Sequence, residues 1–178
     1  MAEDGIDRLS DETLLTRYQL TREERCFHEL VRRYGPTALA FARARLGGMD
    51  GGDDAVQEAF IRVAREVGRY DGSRAFAPWF YTILRNICTD TMRKRVRYRD
   101  KLKAFSVEPR NRHRREPDMT GIEEAIHSLP EPDRDILMLR LVQGLSFGEI
   151  AGAVSCTEDA AKKRAQRALR RLREKLQV

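Results

Sequence analysis

No run of eighteen apolar residues occurs in this chain of 178, and no secretory leader opens it, so a soluble, cytoplasmic protein without membrane insertion is expected. Cysteine is scarce. Cys26, Cys88 and Cys156 are an odd number without framework spacing, which reads as reduced thiols rather than disulfides. Cys26, His28, His113, His127 and Cys156 are scattered, and no Cys-x-x-Cys pair offers a metal site. Aromatic residues make up 7% of the chain and β-branched runs are missing, which favours helix over sheet. The glycine-rich run GGMDGG (47–52) lacks the Lys-Ser/Thr of a phosphate-binding loop. No carboxylate cluster or nucleophile constellation stands out. No metal, cofactor, small-molecule substrate or enzymatic chemistry is therefore expected.

Charge is plentiful and unevenly placed. The net charge is +6. Arg93 to Arg115 holds eleven Lys/Arg against Asp100 and Glu108, and Lys162 to Lys175 holds eight against Glu174. The remainder is net acidic. Two basic blocks suggest two contacts with a polyanion, and the acidic remainder suits a basic protein partner.

The periodicities predict helices throughout. Ser10 caps a short helix, SDETLLTRYQL. Thr21 and Glu24 have capping-box spacing and open the next, in which Phe27, Leu30, Val31 and Tyr34 form a core stripe and Gly35-Pro36 marks a kink or restart. GGMDGGDD (47–54) reads as a loop. In the helix from Asp54 to Val67, Val56, Phe60, Val63 and Val67 recur on one face, while Asp54, Gln57 and Glu58 share a polar face. A loop, Arg69 to Arg74, precedes a long helix opened by Ala77-Pro78, whose far end is basic. Trp79, Phe80 and Phe76 read as core. Periodicity is lost from about Asp100 to Met119, which reads as a flexible basic linker.

The C-terminal part predicts a short helix over 121–128, a break at Leu129-Pro130-Glu131-Pro132, a helix over 133–143, and then SFGEIAGAVSCTEDAAKKRAQRALRRLREKL (146–176). Ser146 and Glu149 form a capping box, Gly144 suits the end of the preceding helix, and Thr157 caps the last helix. Ala161, Ala165, Ala168, Leu172 and Leu176 make a narrow seam opposite an almost purely cationic face. A short helix, a tight turn and a long basic helix form the helix-turn-helix pattern. The expected fold is all-α: an N-terminal helical domain (1–99), a flexible basic linker (100–119) and a C-terminal helix-turn-helix domain (120–178).

Three stretches in this order resemble bacterial RNA polymerase sigma factors of the extracytoplasmic-function group. DDAVQEAFIRVAREVGRYDG resembles the group's D-x-V-Q-E-x-F helix. FAPWFYTILRNICTDTMRKR resembles its F-x-x-W-L-Y-x-I-x-x-N-x-x-x-D-x-x-R-x-x-R helix. LPEPDRDILMLRLVQGLSFGEIAGAVSCTEDAAKKRAQRALRRLRE resembles its C-terminal L-P-x-x-x-R…G-x-S-x-x-E-I-A…R-A-x-x-x-L-R pattern. The last piece alone also fits a stand-alone helix-turn-helix transcriptional regulator, which would leave the N-terminal domain unexplained.

The resemblance implies a protein that binds core RNA polymerase and promoter DNA, reads the −35 element and melts the −10 element, and has no catalytic site. It implies −35 contacts from Lys162, Lys163 and Arg167, phosphate clamps at Arg164 and Arg170, and an adenine contact from Gln166. It implies −10 contacts from Asn86, Asp90 and Arg93, and a pocket for a flipped base around Tyr70, Gly72, Ser73 and Arg74. Tyr70 also reads as a loop anchor. Asp54, Gln57 and Glu58 match the face that docks on the clamp helices of the largest polymerase subunit. Glu158-Asp159-Ala160-Ala161 departs from the usual Val-Gly-Thr-Val-like run. An anti-sigma factor is a common partner in the group.

Overall fold

The structure, a computed structural model, describes residues 5–47, 50–104 and 121–176. They form eight α-helices and two short 3-10 turns, with no strand. Helix α1 spans Asp11–Thr21, capped by Ser10, whose hydroxyl accepts from the Thr13 N–H at 3.2 Å. Its first turn carries Asp11 and Glu12, which complement the helix dipole. The Thr21/Glu24 capping box expected from the spacing does not form. Thr21 is instead the last residue of α1, where its hydroxyl donates to the Arg17 carbonyl at 2.8 Å and accepts from the Glu23 N–H at 3.2 Å. One side chain thus ties off one helix and turns the chain into the next.

Helix α2 spans Glu24–Leu46 as one continuous helix with Pro36 inside it, so the chain does not restart at Gly35-Pro36. Leu30, Tyr34, Ala38, Phe41, Ala42 and Leu46 are its buried stripe. Gly47 ends it in the left-handed region at φ 70. Helix α3, Gly52–Glu66, starts two residues before the expected Asp54 and takes in the last three residues of the expected loop. Ala55 and Ala59 are buried with Phe60, Val63 and Val67, whereas Val56 is only partly covered.

Helix α4 spans Phe76–Ala104, so it continues five residues into the stretch expected to be linker. The rest of that stretch, 105–119, lies outside the described residues. The N-terminus of α4 is met from α1, where Glu12 accepts from the Phe76 N–H at 3.0 Å. Phe76, Phe80 and Tyr81 are buried and pack with Tyr34, Phe41 and Phe60 at centroid separations of 4.9 to 5.6 Å. Such aromatic pairs add about 0.5–1.5 kcal/mol each beyond the area they bury. This cluster fixes α2, α3 and α4 as one bundle.

The C-terminal helices are α5 (Gly121–His127), α6 (Glu131–Leu141), α7 (Phe147–Val154) and α8 (Glu158–Leu176). Ala125, Leu129, Leu137, Ala168 and Leu172 make a small core joining α5, α6 and α8. Ile136, Leu139, Leu145, Ile150, Ala153, Ala161 and Ala165 continue into the larger core of the N-terminal bundle, so the two halves are packed together. Polar groups cross the same seam. Buried Arg45 on α2 pairs with Asp135 and Glu131 on α6 and donates to Thr89 on α4 at 2.9 Å. Arg134 donates to the Ala44 carbonyl at 2.9 Å and to His127 Nδ1 at 2.8 Å. Arg85 on α4 donates to the Val154 carbonyl at the end of α7, at 3.1 Å.

Candidate nucleic-acid and polymerase interfaces

On α4, Asn86, Asp90 and Arg93 share one face at spacings of four and three, and all three are exposed. Asp90 and Arg93 form a loose pair at 3.8 Å. The opposite face of the helix is buried in the core, so this polar strip has no packing role. Farther along, Lys94, Arg97 and Arg99 are also exposed, whereas Arg95 donates to the Asp50 carbonyl.

The loop before α4 is a closed turn. Asp71 accepts from the Ser73 N–H at 3.0 Å and from its hydroxyl at 2.7 Å, and these bonds hold the Asp71 carboxyl below its usual range. Gly72, Ser73 and Arg74 are exposed. Tyr70 is not. Its ring is 6% exposed and lies against Trp79 at 5.0 Å, and its hydroxyl donates to the Arg74 carbonyl. Tyr70 therefore braces the turn from inside, which is the anchor alternative. The exposed rim is left to Gly72, Ser73 and Arg74.

On α3, Asp54 and Gln57 are exposed and Glu58 is partly so, with Arg62 at 3.6 Å. Gln57 also stands at the edge of an apolar groove of about 520 Å³ between α2 and α3, lined by Phe27, Val31, Leu39, Val56 and Phe60. Polar side chains beside an open apolar groove suit a protein partner better than bulk water.

The helix-turn-helix is built by its caps. Ser146 accepts from the Glu149 N–H at 3.2 Å, and the Glu149 carboxylate accepts from the Ser146 N–H at 2.8 Å. Gly144 (φ 66) and Ser155 (φ 57) take the left-handed positions that reverse the chain on either side of α7. Thr157 accepts from the Ala160 N–H at 3.2 Å and starts α8. Ala161, Ala165, Ala168 and Leu172 are buried, which turns the cationic face outward.

That face is not uniform. Lys163, Gln166 and Arg170 are exposed, and Arg170 lies 3.9 Å from Glu174. Arg164 is half-buried. Lys162 pairs with Glu158 at 2.7 Å, and that hydrogen bond raises its pKa. The acidic run that departs from the family pattern thus ties up the first cation of the helix. Arg167 is held by a buried carboxylate, Asp133 on α6, which also takes Arg171. In the sequence, the one signal at Asp133 is an acid in the first turn of α6. Nothing in the local pattern marks Arg45 as buried.

Cys26 and Cys88 are buried and Cys156 is half-buried. Burial pushes the Cys88 thiol up to about 11, which disfavours the reactive thiolate. Among the described residues, no three His, Cys, Asp or Glu side chains gather as a metal-holding group, and no helix is long and apolar enough to cross a membrane.

The two halves carry two matched regions. Residues 30–98 match the family model for Sigma-70 region 2, and residues 120–172 match that for Sigma-70, region 4. The chain belongs to the sigma-70 family of RNA polymerase sigma factors, in its extracytoplasmic-function group. It is 30% identical over 160 residues to the ECF RNA polymerase sigma factor BldN of Streptomyces coelicolor, across 84% of this chain and 60% of that one. To the ECF RNA polymerase sigma-E factor of Haemophilus influenzae it is 27% identical, across 96% and 97%. The sigma factor RpoE of Bartonella quintana, solved with the anti-sigma factor NepR, superposes with a TM-score of 0.72 at 26% identity, over 85% of this chain and 97% of that chain. CnrH, solved with the cytosolic domain of CnrY, gives 0.71 at 25% identity, over 94% and 97%. Proteins of this family are transcription initiation factors rather than enzymes.

Proposed function

We propose that this chain binds core RNA polymerase through Asp54, Gln57 and Glu58 and carries it to promoters that it reads with two surfaces. Asn86, Asp90 and Arg93, with the loop Gly72-Ser73-Arg74 braced by Tyr70, engage the −10 element. Lys162, Lys163, Arg164, Gln166, Arg167 and Arg170 engage the −35 element. The observation that carries this reading is the pairing of two solvent-facing polar strips, one on each matched region. Apart from half-buried Arg164, every residue of the two strips is exposed, and each strip bears the residue types suited to its target: an amide and a carboxylate for base edges on α4, long cations and an amide on α8.

The N-terminal domain extends to the end of α4 at Ala104 and the C-terminal domain covers 120–178, with the segment between them as the tether. Elements about 25 base pairs apart lie about 85 Å apart on B-form DNA, whereas a packed body of this size is roughly 40 Å across. The two halves therefore separate when both elements are engaged. The protein works in the cytoplasm. An inhibitor of the anti-sigma class is a further partner, as for the Bartonella quintana sigma factor.

The test is core-polymerase affinity of Asp54→Lys/Glu58→Lys. Both positions are exposed or partly exposed on α3, so the melting temperature is expected to hold while affinity falls at least tenfold. Unchanged affinity would remove this face from the account.

A further inference from the structure

Asp133 stands in the first turn of α6 with its side chain 3% exposed, and both of its oxygens are taken. Oδ1 accepts from Arg167 Nη2 at 2.9 Å, and Oδ2 accepts from Arg167 Nε at 3.1 Å and from Arg171 Nη1 at 2.9 Å. The two arginines lie one turn apart on α8, and their side chains are 44% and 43% exposed. A guanidinium carries five N–H donors. The carboxylate engages the Nε–Nη2 edge of Arg167 and one donor of Arg171, so each group is pinned on its inner side, and its remaining donors have no partner among the described residues. These arginines lie beside Lys163 and Arg170 on α8. Two cations on one carboxylate leave a local charge of about +1, which still attracts phosphate.

We propose that Asp133 is a positioning residue for promoter binding. It holds Arg167 and Arg171 as a pre-formed pair of clamps for the −35 DNA backbone, and it keeps Arg167 on phosphate rather than on a base edge. The physical gain is pre-organisation. A free arginine loses rotamer freedom when it binds, and here that ordering is already achieved in the folded chain. The inference rests on the promoter-binding reading above and changes the role of Arg167 within it.

The test uses holoenzyme reconstituted with Asp133→Asn and Asp133→Glu, binding promoter DNA with a matched or a scrambled −35 element. Simple electrostatics says that removing a negative charge tightens DNA binding. Positioning says the reverse: Asp133→Asn binds about tenfold more weakly, the loss is equal on both DNAs, and Asp133→Glu restores most of it. In an Arg167→Ala/Arg171→Ala background, Asp133→Asn is expected to cost nothing further, because coupled residues do not add. Arginine Nε–H NMR of the free chain reads the ordering directly, with the Arg167 signal protected in the parent and lost in Asp133→Asn.

Binding by Asp133→Asn as tight as the parent's, or tighter, would overturn the inference. So would a full loss that persists in the double-alanine background, which would make Asp133 a helix clasp only. If Asp133→Asn melts below the assay temperature, Asp133→Glu and the parent's NMR protection decide instead. An unprotected Arg167 Nε–H in the parent sinks the proposal. A parent holoenzyme that fails to bind its promoter overturns the reading of function itself, whereas a parent that binds while Asp133→Asn equals it overturns this inference alone.

Discussion

Arg45 and Asp135 make the sharpest energetic prediction. Their side chains are 3% and 5% exposed, and they join α2 to α6 across the seam between the two halves. The pair is imperfectly satisfied, since Arg45 Nε and Asp135 Oδ1 have no hydrogen-bond partner among the described residues. Its net contribution is therefore small, but removal of one member strands the other. Asp135→Ala leaves a buried guanidinium that cannot lose its proton. Breaking such a pair costs about 3–5 kcal/mol. The low end, about 3, is expected here, because Glu131 and Thr89 still hold Arg45. Arg45→Met strands a carboxylate instead, and that group can escape by taking up a proton. Burial already raises the Asp135 pKa, while Arg45 holds it down. Without Arg45 the folded-state value rises further above the unfolded one. The relief from protonation is complete below the unfolded value, near 4, and is lost as pH rises through the folded value. Arg45→Met is thus expected to approach the parent in stability as pH falls from 7 to 5, while Asp135→Ala does not. Urea unfolding at the two pH values measures both. A cost for Asp135→Ala under about 0.5 kcal/mol, or parallel pH profiles for the two variants, would refute the reasoning.

Other outcomes follow from single residues. Glu29 is held down to about 2, first by its hydrogen bond to Arg32 and then by that to Arg33, against the cost of burial. Its stabilisation is present above the usual carboxylate pKa and is lost as pH falls toward 2, so Glu29→Gln is expected to flatten that part of the acid-unfolding curve in low salt. Gly47 sits at φ 70, and a Cβ there would clash with the His127 ring. Gly47→Ala is therefore expected to cost about 1–3 kcal/mol by thermal unfolding. Lys163→Ala and Arg170→Ala remove exposed cations without touching the core. Each is expected to reduce the salt slope of holoenzyme binding to promoter DNA by about 1 at unchanged melting temperature.

Much of the fold could be read from the chain because its cues are local. Ser10, Ser146 and Thr157 cap their helices, Gly144 turns the chain, and the Ala161–Ala165–Ala168–Leu172 seam is buried as its spacing demands. The misses are non-local. Thr21 was free to serve either the helix it ends or the one that follows, and the backbone path between them decided. Glu12 capping α4 and Arg45 meeting Asp135 join residues 64 and 90 positions apart, which no short window reveals. Tyr70 had two readings, and burial against Trp79 selects the anchor. The cationic strip on α8 was legible as charge, but not which cations are engaged: Lys162 and Arg167 have carboxylate partners, while Lys163 is exposed with no ion pair among the described residues.

Run-off transcription by bacterial core polymerase, with and without this protein, on a pool of promoters from its own genome tests the central claim most directly. The account predicts protein-dependent initiation at a defined subset of promoters. Initiation that does not depend on the protein, together with operator binding by the protein alone, would contradict it and favour a free-standing helix-turn-helix regulator.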